Sequence, residues 1–234
     1  MSVQFDFDGE VAVVTGASGA LGSAVAAAFH DDGATVVGLD VVRPEDDDSQ
    51  VDPDHLDDFY ETDMTDESQV AVAIAAIEDA HDRIDHLCTV AGTWRGGTPI
   101  DETDREQFQF LLDANLTSAF LAAKHALPKL RKTEGTIVSV SARSSLSGGE
   151  GDGPYRISKA GVRLLTETLA EENEGIVRAN CVLPSVMDTP MNREMMEPSD
   201  DWVEPAAVAR TMLVLCSEAT AVTSGAAVPV YGEA

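Results

Sequence analysis

An apolar pentapeptide, Val11-Ala12-Val13-Val14-Thr15, runs straight into Gly16-Ala17-Ser18-Gly19-Ala20-Leu21-Gly22, which opens onto the helix-forming stretch Ser23 to Phe29. A short, uninterrupted apolar run suits a strand buried on both faces, as in a parallel sheet sandwiched between helices. A glycine turn between such a strand and a helix has few uses. Gly16 permits a tight turn, a small residue lets the backbone approach a pyrophosphate, and Gly22 lets the helix pack closely on the strand. The helix N-terminus then offers unpaired N–H groups to phosphates. Gly16, Ser18, Gly19, Ala20, Leu21 and Gly22 are therefore expected against a bound dinucleotide.

A second apolar strand, Ala34 to Leu39, ends at Asp40, about twenty residues beyond the turn, where a carboxylate accepts from adenosine ribose hydroxyls. The same charge repels a 2′-phosphate, and the turn carries no basic residue, so NAD is expected over NADP. Arg43 is read as a solvated loop residue. Further apolar runs, Ile84 to Val90, Gly135 to Ser141, Val177 to Leu183 and Ala226 to Val230, alternate with amphipathic stretches. A helix over Glu67 to Ala80 carries Val70, Ile74 and Ile77 on one face, with Asp66 and Gln69 placed to cap it. Two more helices are expected near Arg105 to Leu130 and Pro154 to Glu172. The pattern predicts a single α/β domain over residues 1–234, a doubly wound parallel sheet of about seven strands.

Tyr155 and Lys159 stand four residues apart, on one face of the expected helix. A nearby ammonium favours the phenolate, so Lys159 is expected to lower the Tyr155 pKa and let the phenol exchange a proton at neutral pH. Alone, the pair is as ordinary as any Tyr and Lys on a surface helix; the glycine turn gives it meaning.

With these motifs in place, the chain resembles the short-chain dehydrogenase/reductases over essentially its whole length, and the resemblance implies a Rossmann fold. It assigns Asp63-Met64 to the adenine contact, and Ala91 and Gly92, in Val90-Ala91-Gly92, to the segment after the fourth strand. Asn115 falls where the family has a helix-bending Asn in its proton relay. Pro184, Val186 and Thr189, in Leu183-Pro184-Ser185-Val186-Met187-Asp188-Thr189-Pro190, match the nicotinamide cradle. The implied catalytic set is Tyr155, Lys159 and Asn115, with hydride passing between nicotinamide and a carbonyl or alcohol. One position departs: Ala142 stands where the family has a catalytic Ser, with Ser144 and Ser145 as nearby hydroxyls. The same loss marks the quinonoid dihydropteridine reductases, whose short substrate segment 188–202 resembles; that reading, a 3-oxoacyl thioester reductase and a non-catalytic dinucleotide-binding sensor stand as alternatives. Trp94, Arg95, Arg143, Met187, Asn192, Met195 and Trp202 fall in segments that could line a substrate pocket. The family pairs its helices as homodimers or homotetramers.

Forty-two acidic residues against 15 basic ones give a formal charge of −27, spread along the chain and densest in Glu45-Asp46-Asp47-Asp48 and residues 53–58. That balance argues against nucleic acid or anionic membranes as partners. It is expected of a halophile's protein, with self-repulsion screened by salt and the unfolding temperature rising with KCl. No apolar run approaches the ~18 residues of a membrane span, and Met1 to Asp8 lacks signal-peptide architecture. Cys88, Cys181 and Cys216 read as buried thiols in a reducing cytoplasm. His30, His55, His81, His86 and His125 are scattered, so no metal is assigned.

Overall fold

A computed structural model describes residues 5–232. The first four positions of the segment read for a signal lie outside them. Seven strands form one parallel sheet in the order β3-β2-β1-β4-β5-β6-β7. They are β1 (Val11–Thr15), β2 (Thr35–Asp40), β3 (Asp58–Glu61), β4 (His86–Thr89), β5 (Thr136–Val140), β6 (Arg178–Pro184) and β7 (Ala227–Val230). The helices are α1 (Ala20–Asp31), α2 (Glu67–His81), α3 (Arg105–Leu112), α4 (Ser118–Thr133), α5 (Gly153–Glu172), α6 (Pro190–Met195) and α7 (Pro205–Cys216).

Period-two alternation splits the core into two layers. Ala12 and Val14 face one side of the sheet, with Val25 and Phe29 of α1 and Met212 and Leu213 of α7. Val11 and Val13 face the other, with Ile74 and Ile77 of α2 and Leu121 and Leu130 of α4. Helices on both faces are what nearly all-apolar strands demand. Truncating fully buried Phe29 to Ala would cost about 3–5 kcal/mol.

Two expected elements differ in detail. Asp66 does cap α2, accepting from the N–H groups of Ser68 and Gln69. Gln69, however, reaches past it to accept from the Asp63 N–H at 3.0 Å. The helix expected over 105–130 is not continuous: a π-turn over Asp113–Thr117 separates α3 from α4. Among the described residues no helix is long and apolar enough to cross a membrane.

Strand order reverses between β1 and β4, where the chain leaves to opposite sides. In open parallel sheets this creates a crevice at the carboxyl ends of the strands.

Candidate active site

A cavity of about 1110 Å³ lies along those carboxyl ends. At one end the backbone forms the wall. Gly16 has φ +68°, and a Cβ there would meet the Ala91 backbone at 2.8 Å. Thr15 Oγ1 fastens this approach by accepting from the N–H groups of Val90 at 3.0 Å and Ala91 at 3.1 Å. At Gly22 any Cβ would overlap the Gly16 carbonyl oxygen. No side chain caps α1, and Gly19, Ala20, Leu21 and Gly22 line the cavity. A helix N-terminus with its first N–H groups uncapped beside a cleft fits a pyrophosphate.

Asp40 lines the cavity at the end of β2. Its Oδ2 accepts from the Ser18 N–H at 3.0 Å and its Oδ1 from the Val42 N–H at 3.1 Å. Each oxygen retains capacity for a ribose hydroxyl. Ser18 is buried behind this wall, its hydroxyl donating to the Val42 carbonyl at 2.6 Å, so it shapes the turn without lining the cavity. Arg43 turns away to Glu61 at 2.8 Å. Asp63, Met64, Ala91, Gly92, Pro184, Val186 and Thr189 all line the cavity. The Asp63 carboxylate is used locally, accepting from the N–H and hydroxyl of Thr65. Thr189 caps α6 by accepting from the Asn192 N–H at 3.2 Å.

Between the two ends, α5 presents Tyr155 and Lys159 to the cavity. Tyr155 is half-buried; Lys159 is buried. The Lys159 ammonium donates to the Val140 carbonyl at 3.0 Å. A Cβ on Gly92 would lie 2.5 Å from Asn115 Oδ1 and 3.1 Å from Lys159 Nζ, so these three residues converge. Asn115 sits in the π-turn, buried behind the wall. Its Oδ1 accepts from the Thr93 N–H at 2.9 Å, and its Nδ2 donates to the Thr93 carbonyl at 3.0 Å and Ser158 Oγ at 3.2 Å. Its neighbours Ala114 and Ser118 line the cavity in its place.

The expected acidification of Tyr155 by Lys159 is not what the geometry produces. Burial, then the Asp152 carboxylate, pushes the phenol up to about 12. Burial alone pulls Lys159 down to about 8. Removing both groups from water disfavours their charged forms, and the ammonium is spent on a carbonyl. Near neutrality the phenol is therefore protonated and the ammonium largely charged, an arrangement ready to donate a proton.

Ala142 is buried and lines the cavity. Ser141 also borders the cavity, but its hydroxyl is spent, donating to the Lys159 carbonyl at 2.7 Å and accepting from Ser145 Oγ at 3.1 Å. Ser145 is thereby held off the cavity, whereas Ser144 lines it.

A family profile described as enoyl-(acyl carrier protein) reductase matches residues 16–232. The chain belongs to the short-chain dehydrogenase/reductase family. It is 28% identical over 96% of its length to 97% of the 3-oxoacyl-(acyl-carrier-protein) reductase of Thermotoga maritima. It is 31% identical to the cis-4-hydroxycyclohexanecarboxylate dehydrogenase of Sinomonas cyclohexanicum, across 97% of this chain and 96% of that one. A short-chain dehydrogenase/reductase of Brucella melitensis, titled a glucose/ribitol dehydrogenase, superimposes with a TM-score of 0.89 at 26% identity, covering 98% of each chain. The protein is an oxidoreductase of this family, whose members work with nicotinamide cofactors.

In this short-chain dehydrogenase/reductase the end of the cavity away from the glycine turn is built from side chains. Trp94, Arg143, Met187, Asn192, Met195 and Trp202 all line it. Arg95 does not: its guanidinium sits 4.0 Å from the Phe110 ring centroid. Arg143 stacks over Tyr231 at 4.6 Å. Three contributors escaped the sequence reading. Thr15 is the strand residue that fastens β4, and Ser158, one turn beyond Tyr155, could have been found from its i+3 spacing. Arg156 binds Asp152 at 2.6 Å and the carbonyls of Ser144, Ser147 and Gly148, bracing the loop after β5. Its position beside Tyr155 gave no signal of that.

Proposed function

We propose that this protein is an NAD(H)-dependent oxidoreductase that interconverts a carbonyl compound and the corresponding alcohol, with Tyr155 as the catalytic proton donor and acceptor. The observation that carries this reading is the convergence of Tyr155, Lys159 and the Asn115-braced Thr93 segment on a cavity that also holds the uncapped α1 N-terminus. The nicotinamide, when bound, supplies or takes the hydride. Everything else falls to the chain. The glycine turn and α1 receive the pyrophosphate, and Asp40, with no basic side chain lining that end of the cavity among the described residues, favours the unphosphorylated ribose. Pro184, Val186 and Thr189 border the nicotinamide end. Tyr155 gives its proton to the substrate oxygen during reduction and removes it during oxidation. Lys159 holds positive charge nearby, and Asn115 positions Thr93 and Ser158.

Tyr155→Phe should lower kcat by about 10²–10⁴ while leaving the Kd for NADH unchanged; near-normal turnover would remove Tyr155 from the chemistry. Ala142 favours a second reading, a dihydropteridine reductase-like enzyme, because a quinonoid pterin accepts hydride with less polarisation than a ketone needs. The Thermotoga relative favours a 3-oxoacyl thioester reductase. NADH oxidation with ketones, oxoacyl thioesters and quinonoid dihydropterin separates these from one another, and any turnover excludes a pure dinucleotide sensor.

The working assembly is a homodimer or homotetramer, supported by Phe120 on α4 and Ile157 and Leu164 on α5, apolar side chains exposed at 46%, 50% and 54%. Three free, buried cysteines support a reducing cytoplasm, and the −27 charge supports one rich in salt.

A further inference from the structure

We infer that the substrate is an uncharged, mainly apolar ketone or its secondary alcohol, of the alicyclic or aromatic kind whose reacting oxygen is its only hydrogen-bonding group. This rests on the oxidoreductase reading above and narrows it. The substrate end is walled by Trp94, Met191, Met195, Met196 and Trp202. Trp94 is 38% exposed, and the three methionines are between 43% and 52% exposed, so thioether and indole surface faces the cavity with nothing packed over it. Such side chains adapt to irregular apolar shapes and reward their burial.

Several of the polar groups at this end are already spent on the protein. Asn192 Nδ2 donates to the Met187 carbonyl at 2.8 Å. Arg156 is bound to Asp152 and to three loop carbonyls. A sugar placed here would bury several hydroxyls against thioether and indole surface, which is costly. For an anion, Arg156 on this wall is neutralised by Asp152, Arg143 is stacked on Tyr231, and Asp201 adds negative charge, in a chain of charge −27. A single carbonyl needs only Tyr155. In reduction the ketone, one hydride from NADH and one proton through Tyr155 give the secondary alcohol and NAD⁺, with nothing left over.

The test is kcat/KM for NADH oxidation with three ketones: a bicyclic monoterpene ketone, 4-oxocyclohexanecarboxylate and a ketohexose. The apolar ketone should lead the oxo acid by at least ~10-fold and the ketohexose by ~100-fold or more. Trp202→Gln should lower kcat/KM for the apolar ketone and leave the Kd for NADH unchanged. A lead by the oxo acid or the ketohexose overturns the inference and leaves the oxidoreductase reading standing. Turnover of none, in folded protein that binds NADH, overturns both.

Away from the cavity, a different cluster points to a metal site. His30 and Asp31 end α1, and His55 ends the short 3₁₀ turn Pro53–His55; one ligand atom from each lies within 4.8 Å of the others. The two rings are 5.2 Å apart, and His30 Nδ1 is 3.9 Å from Asp31 Oδ1. Both backbones are anchored: the His30 carbonyl accepts from the Gly33 N–H, and the His55 N–H donates to the Asp52 carbonyl. A helix C-terminus favours a cation. We propose that two imidazoles and one carboxylate here bind a divalent transition metal such as Zn²⁺ or Ni²⁺, joining α1 to the acidic loop before β3. Isothermal titration of the full chain with ZnCl2, in excess MgCl2 to occupy simple carboxylate sites, should show one equivalent bound. Affinity should fall at least ~10-fold in His30→Ala and in His55→Ala. No binding by the full chain, or undiminished affinity in either variant, overturns the site.

Discussion

The two ends of the cavity are made of different material. The end bordered by β1, β2 and the segment after β4 is backbone: Gly16 against Ala91, Gly22 against Gly16, and Asp40 holding two N–H groups. The other end is side chain, with Trp94 and Trp202 projecting from loops and Met195 from the end of α6. A backbone wall has no slack, because every atom on it is fixed by the sheet. A wall of thioethers and indoles can yield to its ligand. The first end therefore tolerates little substitution and suits one recurring ligand, whereas the second can be altered without loss of the fold.

Gly22→Ala attacks the rigid end hardest. Its Cβ overlaps the Gly16 carbonyl oxygen, so α1 must move off β1. NADH affinity should fall by more than ~100-fold, and stability by about 1–3 kcal/mol, read by NADH titration and by denaturant unfolding. A variant that binds NADH normally would show that this end is not rigid.

Asp40→Ala removes the acceptor for the Ser18 and Val42 N–H groups together with the negative charge. The KM for NADH should rise by about tenfold, corresponding to about 1.4 kcal/mol, while that for NADPH falls. Unchanged cofactor preference would remove Asp40 from selectivity.

Lys159 sits at the junction of the two ends, and burial brings its pKa from the ordinary 10.5 down to about 8, which carries a sign. The ammonium is present below pH 8 and lost above it, so reductive kcat/KM should decline tenfold per pH unit beyond that point. The unfolded chain binds the proton more tightly, so the Lys159 contribution to stability rises between pH 8 and 10.5, by about 3 kcal/mol in all. Unfolding followed from pH 7 to 10.5 should show this rise relative to Lys159→Met; parallel curves for the two proteins would contradict it.

Met195→Ala tests the soft end. Met195 is 44% exposed, so its loss should change substrate KM by no more than about tenfold, with the Kd for NADH untouched. A collapse of cofactor binding would show that the two ends are not separate.

The same contrast governs what could be read from the chain in advance. The glycine turn, the strands and the Tyr155–Lys159 spacing are local patterns, and their placement follows from backbone geometry within a few residues. The π-turn at Asp113–Thr117 is invisible to apolar periodicity, which runs on through it. Ser18 has a turn residue's chemistry, yet its hydroxyl is claimed by Val42, twenty-four positions away. Arg95 and Arg143 are equally plausible neighbours of a pocket in sequence, but one stacks on Phe110 while the other lines the cavity.

By itself, the sequence determined a parallel sheet with helices on both faces, a turn that only glycine can make, and a phenol and an amine sharing a helical face. These follow from steric rules that act between near neighbours. Tertiary structure alone decided that burial raises the phenol and lowers the amine, that Asn115 braces Thr93, and that His30 meets His55. Those outcomes depend on which distant segments exclude water from a group and which take its hydrogen bonds, and neither is fixed until the chain has folded.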